Sequence, residues 1–350
     1  MLEINGIVLN DVAANSTKVY NKPFAIYLPI YIFVILFAVL GNCLVCWIVL
    51  TNRRMHDSTN FLLVNLAVSD LLMALSSTFK FADLLVKDLH LGDIGCKFEV
   101  NLLNIPYASS CITVAIISFE RYCAICRPLT TLTYFKERLK YIVPSIWITA
   151  VVVYFPTLYF CGHNLHKKGD QLSCDCTYRW PSLKAKNIYG IGIVLFFYVV
   201  PCMVASSLYF TIIRRLRKTI PGVGGNNAAL YSSRRSVIRM LLISLIVFII
   251  AWTPYNVLYT LKRLEINFRS IYPYVWYPSL LLAGLHCMCN PIIYCLLGNK
   301  FRQAFTSILC CSYCCRALRF RQYHDVSQDI TDKEIAGRTS AGQTNQLASN

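Results

Sequence analysis

Residues 112–123 read Ile-Thr-Val-Ala-Ile-Ile-Ser-Phe-Glu-Arg-Tyr-Cys, an apolar run that closes on the charged step Glu120-Arg121-Tyr122. Charge at the end of such a helix is costly in hydrocarbon unless it faces a protein interior or a cytoplasmic cleft that moves, so Arg121 reads first as part of a switch. The run lies within Phe98 to Cys126, one of seven apolar segments. The others are Phe24 to Leu50, Asn60 to Leu85, Lys140 to Phe160, Asn187 to Ile213, Ser236 to Leu261 and Pro273 to Leu297. At ~1.5 Å rise per residue each is long enough to cross a ~30 Å hydrocarbon layer. None alternates with period two, and backbone groups in lipid must be satisfied within the segment, so helices are expected and a barrel is not.

Composition agrees: of 350 residues 56% are hydrophobic and 15% charged, too little polar surface for an ordinary soluble domain. Lys and Arg cluster after helix one (Arg53, Arg54), after helix three (Arg127, Lys136, Arg138, Lys140), between helices five and six (Arg214 to Lys218, Arg234, Arg235, Arg239) and after helix seven (Lys300, Arg302, Arg316). Lys167, Lys168, Lys184 and Lys186 make the fourth-to-fifth loop basic too, so the bias is moderate. It predicts an outside N-terminus and a cytoplasmic tail. The net charge of +17 is then cytoplasmic-face charge against anionic lipid, and no nucleic-acid partner is expected.

The fold class expected is an all-α membrane protein, a seven-transmembrane helix bundle with a short amphipathic eighth helix. Its parts are an extracellular tail over residues 1–23, the bundle over 24–298, the amphipathic helix and its cysteines over 299–315, and a disordered cytoplasmic tail over 316–350. The first 22 residues lack a basic n-region and apolar core, so helix one is expected to serve as the insertion signal. Asn15-Ser16-Thr17 is a glycosylation sequon on the outward tail. Most of the 17 cysteines lie inside helices as small apolar residues; Cys96, Cys161, Cys174 and Cys176 fall on the oxidising side. Cys310, Cys311, Cys314 and Cys315 follow the amphipathic stretch and are palmitoylation candidates, with unmodified thiols or metal binding the alternative. Ile220 to Ala229, rich in Gly and Pro, reads as a flexible linker.

Buried polar residues carry most of the functional signal. Asp70 in helix two must find donors, a cation or a proton, and Asn42 and Asn290 are the evident donors from neighbouring helices. Pro156, Pro201, Pro254 and Pro291 each remove a helical bond and should kink four helices. Trp252, Tyr255, Tyr259 and Lys262 share one face of helix six, and Glu99, Leu103, Tyr107, Ser110 and Val114 form a stripe on helix three. These aromatics either line a pocket or pack the bundle. Lys80 on helix two either binds an anionic ligand or neutralises Asp83 or Glu99.

Gly41-Asn42, Leu66/Ala67/Asp70, Glu120-Arg121-Tyr122, Trp147, Pro201 with Tyr209, Phe248/Trp252/Pro254 and Asn290-Pro291/Tyr294 occur in order, one set per helix. Together, over about residues 24 to 315, they resemble the rhodopsin-like family of G-protein-coupled receptors. The resemblance implies a multi-pass receptor in the plasma membrane that binds ligand outside and catalyses nucleotide exchange on a heterotrimeric G protein inside, with arrestin and receptor kinases as further partners. It implies that Glu120 restrains Arg121 at rest, that Arg121 later faces the G protein near Tyr209 and Tyr294, and that Trp252 senses ligand. The sequence departs from the family where Ser232-Ser233-Arg234-Arg235 replaces an acid at the start of helix six, and where Cys111 replaces a branched aliphatic. His286 stands in place of a polar residue that helps Asp70, Ser110 and Asn290 hold sodium in relatives. Gly284 at the retinal-lysine position and Leu103 at the amine-binding Asp position disfavour light sensing and biogenic amines.

Cys176 to Pro181 and Asn290 to Phe305 are most similar to neurokinin-like neuropeptide receptors. That likeness implies a Cys96–Cys176 disulfide, with Cys174 an alternative partner and a Cys161–Cys174 bridge a further option. It also implies a peptide ligand met by Lys80, Asp83, Glu99, Tyr107, Tyr255, Tyr259 and Trp276. A lipid or small anion is the alternative ligand. A channel or transporter lacks support in any repeat or filter-like segment, and no cofactor or enzymatic activity is expected.

Overall fold

The computed structural model describes residues 29–85, 92–168, 171–218, 227–266 and 272–309. Seven helices are long and apolar enough to span a bilayer. They are α1 (Pro29–Thr51), α2 (Ser58–Leu85), α3 (Gly92–Cys126), α4 (Pro128–Phe160), α5, α6 (Asn227–Arg263) and α7 (Tyr272–Leu297). Helix α5 runs Leu183–Val194, passes through a π-helical turn at Leu195–Val199 and continues over Val200–Lys218. The turn sits directly before Pro201, whose missing N–H would otherwise break the ladder; the backbone shifts to the wider spacing, with the Val200 N–H on the Leu195 carbonyl.

Six of the seven helices start earlier than hydropathy predicts, and α3 at Gly92, α4 at Pro128 and α6 at Asn227 do so by the widest margins. The last correction places part of the expected flexible linker inside a helix. Hydropathy marks only the stretch suited to hydrocarbon, whereas a helix continues into polar surroundings while its backbone bonds are met. The fourth-to-fifth connection, expected as a loop, also differs. It holds an antiparallel hairpin, β1 (Cys161–Lys168) with β2 (Gln171–Tyr178), in register Cys161↔Tyr178 through Lys168↔Gln171. The Gly169-Asp170 pair between two strand-length runs was the available signal.

The same register removes one expected bridge. Cys174 stands opposite Leu165, four positions along the strand from Cys161, about 13 Å at ~3.3 Å per residue. Cys161 is a free thiol, and the packed end of the hairpin raises its pKa, chiefly through burial. Cys96 is disulfide-bonded, and its partner lies outside the described side chains.

Inside the bundle Tyr154 stacks on Phe197 (5.6 Å between centroids), and Tyr107 packs on Trp252 (4.2 Å). Polar ties join the helices between these layers. Trp147 Nε1 donates to Asn65 Oδ1 (2.9 Å) and Asn65 Nδ2 to Thr113 Oγ1 (2.8 Å), linking α4, α2 and α3. The chain divides into two compact units, Met1–Asn299 and Lys300–Asn350. The last helix, α8 (Asn299–Leu309), is amphipathic, with Phe301, Ala304 and Phe305 buried and Lys300, Arg302 and Gln303 exposed.

Candidate functional site

The site is three polar and aromatic layers stacked along the bundle. At the layer holding Arg121, Glu120 is 1% exposed. Arg121 donates to it twice, Nε to Oε2 at 2.5 Å and Nη2 to Oε1 at 2.6 Å, in a fork that matches the carboxylate plane. The first turn of α2 completes the set: Ser58 Oγ donates to Oε1 (2.6 Å) and Thr59 Oγ1 to Oε2 (2.8 Å). Glu120 is therefore held from two helices, which sequence reading missed because the hydroxyls lie about sixty residues upstream. Asp57 adds attraction for Arg121, and buried Tyr209 lies within its electrostatic reach. Tyr122 is half-buried beside them.

In the middle layer, Asn290 Nδ2 donates to Asp70 Oδ2 (2.9 Å) and approaches His286 Nε2 (3.2 Å), while Ser244 Oγ donates to Asn290 Oδ1 (2.8 Å). Asn42 is not the donor to Asp70 that the sequence predicts. Its Nδ2 donates to the carbonyls of Ala38 and Cys287, both at 2.9 Å. The physical reason lies in α7: Pro291 has no N–H, so the Cys287 carbonyl four residues earlier loses its helical donor, and Asn42 supplies one. Gly41 makes room for this contact, since a Cβ there would lie 2.8 Å from Pro291 Cγ. Buried Tyr294 and Phe248 flank the layer, and Phe248 meets His286 edge-on at 5.0 Å.

The residues implied for sodium offer that ion a reduced set of oxygens. A hard cation takes oxygen donors. Asn290 turns its nitrogen to Asp70 and commits its oxygen to Ser244, while His286 and Cys287 present nitrogen and sulfur. Of the three implied residues, the Asp70 carboxylate and the buried Ser110 hydroxyl keep an oxygen without a hydrogen-bond partner among the described residues, and Asn290 does not.

Toward the hairpin end, Trp252 continues into an aromatic chain through Tyr255 (5.8 Å), which meets Tyr259 (6.3 Å) and Trp276 (5.3 Å). Pro254 lies within the same helix. A cavity of about 220 Å³ opens between α1, α2, α3, α6 and α7, with Met73, Glu99, Leu103, Trp252, Trp276 and Cys287 in its wall. Tyr107 does not line it. That ring is 5% exposed, and Asn256 Nδ2 donates to its hydroxyl at 2.9 Å, so it packs the bundle against Trp252. Tyr255 and Tyr259 also stand outside the wall. Lys80 and Asp83 lie on α2 and Cys176 on β2, but their side chains are outside the described residues, as are Asn15, Cys310, Cys311, Cys314 and Cys315.

Residues 41–294 match the family described as 7 transmembrane receptor (rhodopsin family). The chain is similar to the tachykinin-like peptides receptor 86C of Drosophila melanogaster, 27% identical over 94% of this chain and 67% of that protein. It is similar to the RYamide receptor of the same fly, 30% identical over 82% of this chain and 62% of the relative. The human neuromedin-K receptor is 31% identical over 83% of this chain and 64% of its own length. The chain thus spans roughly two thirds of the length of these relatives. With the family match running from Gly41 to Tyr294, over the helices that carry all three layers, the chain belongs to the rhodopsin family of seven-transmembrane receptors.

Proposed function

We propose that this receptor sits in the plasma membrane with its N-terminus outside, binds an extracellular neuropeptide and activates a heterotrimeric G protein. The observation that carries the switch is the Glu120–Arg121 pair held by Ser58 and Thr59. A buried carboxylate satisfied from two helices keeps a guanidinium folded back on its own helix, and activation releases it toward the G protein beside Tyr209 and Tyr294. The peptide reading is supported by the relatives, whose names state peptide ligands. It is supported too by the aromatic wall around Trp276, a surface of large amphipathic rings suited to peptide anchors. The lipid or anion alternative rests on Lys80, whose side chain lies outside the described residues. Arrestin and receptor kinases belong to the same reading as later partners.

A second-messenger screen of the expressed receptor against a neuropeptide library, followed by nucleotide exchange with purified G protein, tests it. Peptide-dependent exchange that Arg121→Ala abolishes at unchanged surface expression is the expected result. Activation by lipids alone, lost in Lys80→Ala, would replace it with the alternative.

A further inference from the structure

We propose that Asp70, His286 and Cys287 form a divalent transition-metal site, of the zinc class, that ties α2 to α7 in the middle of the bundle. The three offer a carboxylate oxygen, an imidazole nitrogen and a thiol sulfur within 4.8 Å of one another, all buried. That mixture is poor for a hard monovalent ion and good for a borderline-soft one. Zinc bonds of about 2.0 Å to nitrogen and oxygen and about 2.3 Å to sulfur set tetrahedral donor atoms about 3.3 to 3.6 Å apart, so the cluster closes on an ion by ~1 Å of side-chain movement.

Two further observations point to an occupant. Among the described residues Asp70 Oδ1 and His286 Nδ1 are both buried with no oxygen or nitrogen hydrogen-bond partner, a cost that a protein normally avoids, and the Cys287 thiol already faces the Asp70 carboxylate. The outer supports are nevertheless built: Asn290 holds the other carboxylate oxygen of Asp70, and Asn42 holds the backbone of Cys287. Charge also balances. A dication binding one carboxylate and one thiolate leaves the cluster neutral, with the Cys287 thiol proton, and the Asp70 carboxyl proton where it is held, released to solvent. Cys287 forms part of the wall of the 220 Å³ cavity, which supplies a route for the ion to enter and the proton to leave. Three protein ligands leave a fourth position for water.

The test uses the full chain, purified in lipid nanodiscs and stripped with chelator, with Cys310, Cys311, Cys314 and Cys315 changed to serine to remove the other dense thiol cluster. Cobalt(II) is the probe, because a thiolate–cobalt charge-transfer band reports sulfur ligation directly. One equivalent of cobalt should develop the band, zinc should displace it, and zinc but not sodium should raise the unfolding midpoint. Cys287→Ser should remove the band, whereas Cys161→Ser, which changes a free thiol on the hairpin, should keep it. His286→Asn, a polar replacement chosen to preserve folding, should weaken cobalt binding roughly 100-fold and gain stabilisation by sodium. A band that survives Cys287→Ser, an unaltered cobalt affinity in His286→Asn, or sodium stabilising the unmodified ligand set as much as zinc would overturn the site. None of these readouts depends on which ligand or G protein the receptor uses.

Discussion

Arg121 carries a full charge in a helix of apolar neighbours, and what makes it tolerable is four hydrogen bonds into one carboxylate group. Bonds to a charged acceptor contribute about 1.5 to 3 kcal/mol each, more than neutral ones. Under the proposed function, the Ser58→Ala/Thr59→Ala pair leaves the Glu120–Arg121 fork in place but removes its anchor on α2. Basal nucleotide exchange should rise severalfold while agonist response persists, measured with purified G protein and no ligand. Glu120→Gln should raise basal exchange further, because the fork itself loses its charge, and Arg121→Ala should abolish exchange altogether. Unchanged basal exchange in both Glu120→Gln and the hydroxyl pair would show that this cluster is packing alone. Arg121 and Glu120 were legible from composition and position; Ser58 and Thr59 were not, because ordinary hydroxyls at a helix start acquire meaning only from what faces them.

At the scale of elements, the seam between α1 and α7 shows a proline defect repaired by a neighbour. Asn42 donates to the Cys287 carbonyl that Pro291 leaves without its helical partner, and Gly41 lets the proline ring approach. Gly41→Ala places a methyl group 2.8 Å from Pro291 Cγ, a rigid ring atom, and should cost about 1 to 3 kcal/mol. Asn42→Leu should cost about the same by leaving the carbonyl unpaired in the core. Thermal unfolding of the purified receptor reads both, and they should be less than additive because they disturb one contact. The hairpin gives a second case. Cys96 is disulfide-bonded and Cys161 is not. Cys96→Ser should therefore lose about 2 to 4 kcal/mol and with it ligand binding, while Cys161→Ser remains close to the parent in both. Radioligand binding to intact cells separates the two, and equal losses would contradict the assignment.

For the whole molecule, the helices converge on a cavity whose wall differs from the aromatic stripe the sequence displays. Trp276 lines it and Tyr107 does not, so the two should separate by readout. Trp276→Ala should weaken peptide potency at least tenfold, ~1.4 kcal/mol, with normal surface expression. Tyr107→Phe removes the partner of Asn256 and should lower the unfolding midpoint with a smaller effect on potency. A loss of potency confined to Tyr107→Phe would move the ligand toward α6. The sequence by itself determined the number of spans, their helical nature and the ordered polar landmarks, because a bilayer demands long apolar segments with internally satisfied backbones and penalises every charge left inside. It did not determine helix ends beyond the apolar stretch or the hairpin, where local bonds rather than hydropathy decide. Only the tertiary structure decided that Asn42 serves Cys287 rather than Asp70, that Ser58 and Thr59 hold Glu120, and that Asp70, His286 and Cys287 meet. Those pairings join residues far apart in the chain, and which donor faces which acceptor follows from how the helices pack, a property that no single helix carries.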